Sequence, residues 1–304
     1  MSILDYEQKE LCPSVWKNNE LREGVKNFII NQVKLFFSSL DIEDVSFINN
    51  ILIGSSLATF YFTETSDFDV KIIIDLEKFH DIAKNFDYLD DNTMLDKLID
   101  IGRQSSFLTA PVPQTEHNLD IYFYSNINLP EQHLIKYDSL YSLKSDSWIK
   151  YPKKLNFKHS DIILYAKEKS QQYINSLDLK FGETYRDSVE LLSLIDYFKT
   201  ADSDDLDEIK SEFIKLYKEL KEDLGELSDL REDIKKDRID AFSKKELETE
   251  LEKASKSLNF SDGNIKFKYI QKIGYLSILS ELNKVCEKKN LKFKDIRHIN
   301  KVLQ

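Results

Sequence analysis

Ile51-Leu52-Ile53-Gly54-Ser55, a spacer of ten residues, and Ser66-Asp67-Phe68-Asp69-Val70-Lys71-Ile72-Ile73-Ile74-Asp75 form the stretch whose reading decides the fold. Phe68, Val70, Ile72 and Ile74 alternate with Asp69, Lys71, Ile73 and Asp75, the period of a β-strand with one face turned to a core. Upstream, Val45 to Ile53 is β-branched and apolar and stops at Gly54. Downstream, Leu119 to Tyr124 has the same alternation, with Leu119, Ile121 and Phe123 on one face and Asp120 on the other. Between these strands, Glu77 to Gln104 has helical spacing with a break near Asp90-Asp91-Asn92, and Ala110-Pro111-Val112-Pro113 reads as a turn or edge segment. Asn19 to Leu40 places Leu21, Val25, Phe28, Ile29, Val33, Leu35 and Phe36 close to helical spacing as well.

After about Pro152 the chain changes character. From Asp161 onward the pattern is almost continuously helical, with breaks expected at Gly182, Asp202 to Asp205, Gly225 and Ser261-Asp262-Gly263. The fold class expected is α+β: an N-terminal domain, 1–155, with a mixed β-sheet flanked by helices, and a mostly α-helical domain, 156–304. Charge divides the second half. Ala201 to Glu252 holds 10 Lys/Arg against 19 Asp/Glu, whereas Asp262 to Gln304 holds 10 against 4. The basic stretch, with Lys292, Lys294, Arg297 and His298, reads either as a contact for nucleotide or polynucleotide or as packing on the acidic helices, which the opposite charges make reasonable.

Composition excludes several classes. The 304 residues include 2 Cys, with no CxxC, which rules out a disulfide framework and disfavours a thiolate zinc site. No run approaches the ~20 apolar residues of a membrane span, so no membrane partner is expected. The opening residues lack the apolar centre of a signal peptide, and the expected location is cytoplasmic. A net charge of −11 opposes indiscriminate binding of long nucleic acid but leaves room for a local basic groove. The acidic cluster from Asp202 to Asp207 fails as a calcium loop, because Asp207 stands where glycine is required and Phe213 where glutamate is.

The chemistry lies in the opening stretch. Asp67 and Asp69, two residues apart, project from the same face of a strand. Neighbouring carboxylates repel, and a divalent cation removes the cost of holding them together. Mg²⁺ is commonly held by one or two carboxylates plus substrate phosphates. Gly54, after an apolar strand, lets backbone approach a phosphate, Ser55 and Ser56 offer hydroxyls and N–H groups, and Ser66 is placed with Gly54 and Ser55 in nucleotide binding. Asp75 would sit ~20 Å from Asp69 along the strand, too far to share a metal, and reads as a solvated strand-terminal acid. Lys71, on the carboxylate face, reads as a neutralising salt-bridge partner in preference to a triphosphate contact.

These motifs resemble the nucleotidyltransferase superfamily typified by DNA polymerase beta, poly(A) polymerases and aminoglycoside nucleotidyltransferases. Gly54-Ser55 and Asp67-Phe68-Asp69 match its Gly-Ser turn and Asp-x-Asp pair, and Asp120 in Leu119-Asp120-Ile121 matches its third carboxylate. The resemblance covers roughly residues 45 to 125. It implies an enzyme that moves a nucleoside monophosphate from a nucleoside triphosphate such as ATP to an acceptor hydroxyl, with Mg²⁺, or Mn²⁺ in its place, on Asp67, Asp69 and Asp120. An RNA 3′ end is the slightly favoured acceptor, and a small molecule or a protein side chain is the alternative. A catalytically silent binding or scaffold module is the competing class. Lys150, Lys153, Lys154, Lys158 and His159, interleaved with Tyr151 and Phe157, read either as a nucleic-acid contact or as a solvated linker. Base preference, number of additions and oligomeric state leave no mark in the sequence.

Overall fold

A computed structural model describes residues 8–304 apart from 55, 64–65, 87–88, 114, 116, 126–133, 156 and 202–204. The chain is α+β and forms two compact units, Met1–His159 with Lys244–Ser261, and Ser160–Ser243 with Asp262–Gln304.

In the first unit a two-residue hairpin, β1 (Trp16–Lys17) and β2 (Glu20–Leu21), precedes helix α1 (Glu23–Ser38). Val25, Ile29, Val33, Phe36 and Phe37 are the buried stripe of α1. Strands β3 (Ile48–Ile53), β4 (Phe68–Ile74), β5 (Leu119–Ser125), β6 (Leu140–Ser142) and β7 (Ser147–Lys150) form one sheet in the order β5-β4-β3-β6-β7. The β4–β5 pair is parallel and the other pairs are antiparallel, so the sheet is mixed. A parallel pair requires a long crossover. Helices α2 (Leu76–Ile82) and α3 (Asp91–Gln104) supply it, capped by Asp75 accepting from the Lys78 N–H and Asp90 from that of Thr93. Asp75 is therefore a helix cap.

One sheet face is the main core. Phe68, Val70, Ile72 and Ile74 of β4 and Leu119, Ile121 and Phe123 of β5 pack with Ile29, Phe36 and Phe37 of α1. The alternation that the two strands show in sequence is the alternation of the sheet. Strands β6 and β7 have no clear period. The chain adds them through the register of Leu52 with Ser142 and of Ile53 with Tyr141.

Residues 244–261 also belong to this unit. Helix α6 (Glu250–Ser255) starts with a capping box between Thr249 and Glu252. After it, Asn259 Nδ2 donates to Asp138 Oδ2 at 2.6 Å and Phe260 meets the Tyr61 ring at 5.8 Å between centroids.

The second unit consists of two long helices, α4 (His159–Phe198) and α5 (Leu206–Ser243), followed by α7 (Asp262–Lys272), α8 (Tyr275–Cys286) and α9 (Phe293–Leu303). Gly182 and Gly225 do not break these helices, contrary to the sequence expectation. A Cβ at either would meet nothing within 4 Å, so the only cost of the glycine is about 1 kcal/mol of helix propensity, which packing over some ten turns overrides. The core holds Leu177, Leu191, Leu216, Leu220, Leu224, Leu227, Ile270, Leu279 and Ile296. Apolar packing on α5 carries this unit more than the charge division does. Lys266 pairs with Asp237, while Lys284 and Lys288 pair locally with Glu281 and Asp295.

Gly263 is where α7 meets α5 backbone to side chain. A Cβ there would be driven into the Asp237 carbonyl and would lie 2.9 Å from Ala241 Cβ. Gly263→Ala is expected to destabilise this unit by about 3 kcal/mol or more, because the obstacle is helix backbone and not a side chain that can swing away. Loss of denaturant midpoint in urea unfolding checks it. A change below a few tenths of a kcal/mol would show that the helices slide apart freely.

Candidate functional site

Parallel register sets the site. Asp69 is the Cα partner of Asp120, Lys71 of Tyr122 and Ile73 of Tyr124. Directly paired residues share a sheet face, so Asp69, Lys71, Asp120, Tyr122 and Tyr124 stand together on the face opposite the main core. Leu52 pairs with Lys71 from the other side, and Leu52, Ile73 and Leu140 make a small apolar floor further along that face. Asp69 and Asp120 are half-buried at the edge of this floor, where β4 and β5 begin.

The Tyr122 hydroxyl donates to Asp120 Oδ2 at 2.7 Å. Burial, and then that bond, push the Tyr122 phenol above its ordinary value, so it remains a donor at any physiological pH. Gly54 follows β3 and its N–H faces the Asp69 carbonyl at 3.4 Å. A Cβ on Gly54 would sit 3.0 Å from Leu140 Cδ1, 3.1 Å from the Ser139 carbonyl oxygen and 3.4 Å from Lys71 Nζ. The glycine is thus required by the close approach of the protein's own chain at residues 139–140.

Lys71 is 4% exposed and donates to the Gly54 carbonyl at 3.1 Å. Its ammonium lies 5.2 Å from the Tyr137 ring centroid and 6.0 Å from that of Tyr122. Burial pulls its pKa below the ordinary lysine range, while the charges of Asp69 and Asp120 oppose the shift. The lysine expected from sequence to neutralise the carboxylates lies on their face, feels the charges of Asp69 and Asp120, and is internal, tying the Gly54 turn to the carboxylate row.

Asp67 is exposed and lies one residue before β4, beyond the in-register pair. Ser66 is 1% exposed. Its Oγ accepts from the Thr63 N–H at 3.0 Å and from Ser56 Oγ at 3.2 Å, closing the loop between β3 and β4. Ser55 lies outside the described residues. Among the described residues no group of three or more His, Cys, Asp or Glu side chains gathers at ligand distance. The donor chemistry nevertheless fits Mg²⁺: two carboxylates on adjacent strands, on one face, with open coordination for phosphate oxygens. Tyr122 and Tyr137 are the site residues that sequence reasoning missed. Tyr122 could have been found from its i, i+2 spacing to Asp120, whereas Tyr137 comes to the site only through the fold.

Comparison with known proteins yields no matching family model, and no curated protein or solved structure of significant similarity.

Proposed function

We propose that the chain is a metal-dependent nucleotidyltransferase that moves a nucleoside monophosphate from a nucleoside triphosphate to an acceptor hydroxyl. The observation that carries this reading is the in-register pairing of Asp69 with Asp120 on one sheet face, beside the Gly54 turn. Bound Mg²⁺ would supply charge neutralisation and Lewis-acid activation of the α-phosphate. Asp69 and Asp120 would hold it, with Asp67 at the mouth of the strand as the outer carboxylate. The Gly54 turn, its carbonyl held by Lys71, flanks the carboxylate pair and helps hold it in place. Asp120, oriented by Tyr122, takes the proton of the acceptor hydroxyl as the new oxygen–phosphorus bond forms and pyrophosphate leaves in line. Two free cysteines, Cys12 and Cys286, suit a reducing cytoplasm, and no described helix is long and apolar enough to cross a membrane.

The test is incubation of the full chain with each α-labelled nucleoside triphosphate, Mg²⁺ or Mn²⁺, and total RNA, cell protein or a small-molecule acceptor pool. Label is expected on one acceptor class, and EDTA is expected to abolish it. Failure with every donor, metal and acceptor would overturn the enzyme reading and leave a binding module.

A further inference from the structure

The acid-free run from Ser147 to Ser160 carries four lysines and His159 without a single Asp or Glu, in a chain of net charge −11. Structure separates its basic residues into two sets. The Lys150 ammonium is spent on the backbone: it donates to the carbonyls of Leu134 at 3.0 Å, Lys256 at 2.6 Å and Tyr137. Lys154 is also partly committed, donating to the Lys9 carbonyl at 2.5 Å with its ammonium 4.8 Å from the Phe60 ring centroid. Lys153 and Lys158 are exposed, and neither reaches a carboxylate within ion-pair distance among the described residues.

The aromatic residues are arranged around them. Tyr151 is 43% exposed and packs edge-on against Trp148 at 5.2 Å and Phe60 at 6.4 Å, so its ring is held from behind with a face left to solvent. Phe157 is 39% exposed. The run is anchored to the site at two points. The Leu155 N–H bonds the Tyr61 hydroxyl at 3.1 Å, and Phe60 and Tyr61 follow the Gly54 turn within the same loop. Lys150 fixes the carbonyl of Tyr137, whose ring faces Lys71.

We infer that this run is the docking platform of a single-stranded RNA whose 3′ hydroxyl is the acceptor; the acceptor assignment rests on the nucleotidyl-transfer reading above. Tyr151 and Lys158 are seven residues apart, a reach of at most about 23 Å along the chain, which is room for several nucleotides. A solvent-facing tyrosine braced by two aromatic rings is a stacking surface for an unpaired base. Uncompensated lysines two and seven residues beyond it are phosphate contacts at a spacing that a compact triphosphate does not need. The acidic stretch Ala201 to Glu252, with 10 Lys/Arg against 19 Asp/Glu, repels such a strand, whereas this run carries no acid at all.

Fluorescence anisotropy of a short, mixed-sequence 5′-fluorescein RNA with the full chain in EDTA tests the platform apart from catalysis. Lys153→Gln with Lys158→Gln is expected to weaken binding at least about tenfold and to flatten the salt dependence by about 1.4 in log–log slope, 0.7 per lost phosphate contact on a single strand. Tyr151→Ala is expected to cost about fivefold or more, with Tyr151→Phe close to wild type, because stacking needs the ring and not the hydroxyl. The inference is overturned if the lysine pair, which is exposed and irrelevant to folding, changes neither affinity nor salt slope, or if wild-type chain holds no RNA. Labelling of protein or a small molecule without RNA binding would sink the platform and keep the enzyme. RNA binding with these variant effects but no transfer would keep the platform and sink the enzyme.

Discussion

Asp69→Asn and Asp120→Asn are each expected to lower nucleotidyl transfer by about three orders of magnitude while moving the melting temperature little. Asparagine has the size and an oxygen of aspartate, so the Tyr122 hydroxyl keeps an acceptor at position 120. What disappears is the anionic charge that a hard divalent cation requires. Lewis-acid stabilisation of a phosphoryl transition state amounts to several kcal/mol, and each ~1.4 kcal/mol is a factor of ten in rate. Asp67→Asn is expected to cost less, about one order of magnitude, because Asp67 is exposed and stands outside the pair that strand register aligns. Single-turnover kinetics at saturating Mg²⁺, with thermal unfolding of each variant, measures both quantities. Equal losses at all three positions would restore a symmetrical trio, and transfer that persists in the Asp69→Asn, Asp120→Asn double variant would dismiss the site altogether.

That ranking of Asp67 below the other two comes from the structure, and the reason shows what a sequence can encode. The Asp-x-Asp spacing and the Leu-Asp-Ile triplet are local patterns, and period-two alternation settles which face each residue takes. Strands β4 and β5 and the shared face of Asp69 and Asp120 were legible for that reason. The start of the strand at Phe68 was legible too, and it leaves Asp67 one residue short of the ladder, although the Asp-x-Asp spacing suggested that both carboxylates act together. Features that depend on distant chain were not legible. Lys150, in an evidently basic run, looks like a surface cation until Leu134, Tyr137 and Lys256 bring three carbonyls around it. Residues 244–261 continue a charged helical pattern, yet Asn259 and Phe260 bind Asp138 and Tyr61 of the sheet unit. Gly182 and Gly225 mislead in the opposite direction, since glycine's local preference is weaker than the packing of a long helix.

Lys71 is the position where stability and function are expected to part. Lys71→Met should leave the ligand-free fold as stable as wild type or up to about 2 kcal/mol more stable at pH 7, while lowering transfer by about two orders of magnitude. The stability half follows from the balance around the ammonium. Burial depresses its pKa more than Asp69 and Asp120 raise it, so the charged form is on balance disfavoured where it stands. Methionine has similar length, no charge to desolvate, and neighbours in Leu52, Tyr122 and Tyr137 against which to pack. Asp69 and Asp120 are only partly buried, at the edge of the apolar floor, so removing the lysine does not strand them. The sign of the pH dependence is fixed by the same shift. With a folded-state pKa below the unfolded one, the unfolded chain binds the extra proton, and wild type gains on the variant as pH rises through the folded pKa towards 10.5. The advantage of methionine should therefore shrink between pH 7 and pH 10. The activity half rests on the proposed function: without the 3.1 Å bond to the Gly54 carbonyl, the turn loses its tie to the carboxylate row that would hold the metal. Lys71→Gln, which retains a donor without the charge, is the informative companion. Recovery of a tenth or more of wild-type rate in Lys71→Gln would assign the loss to the hydrogen bond. A methionine variant that is both less stable and fully active would show that Lys71 serves the fold alone.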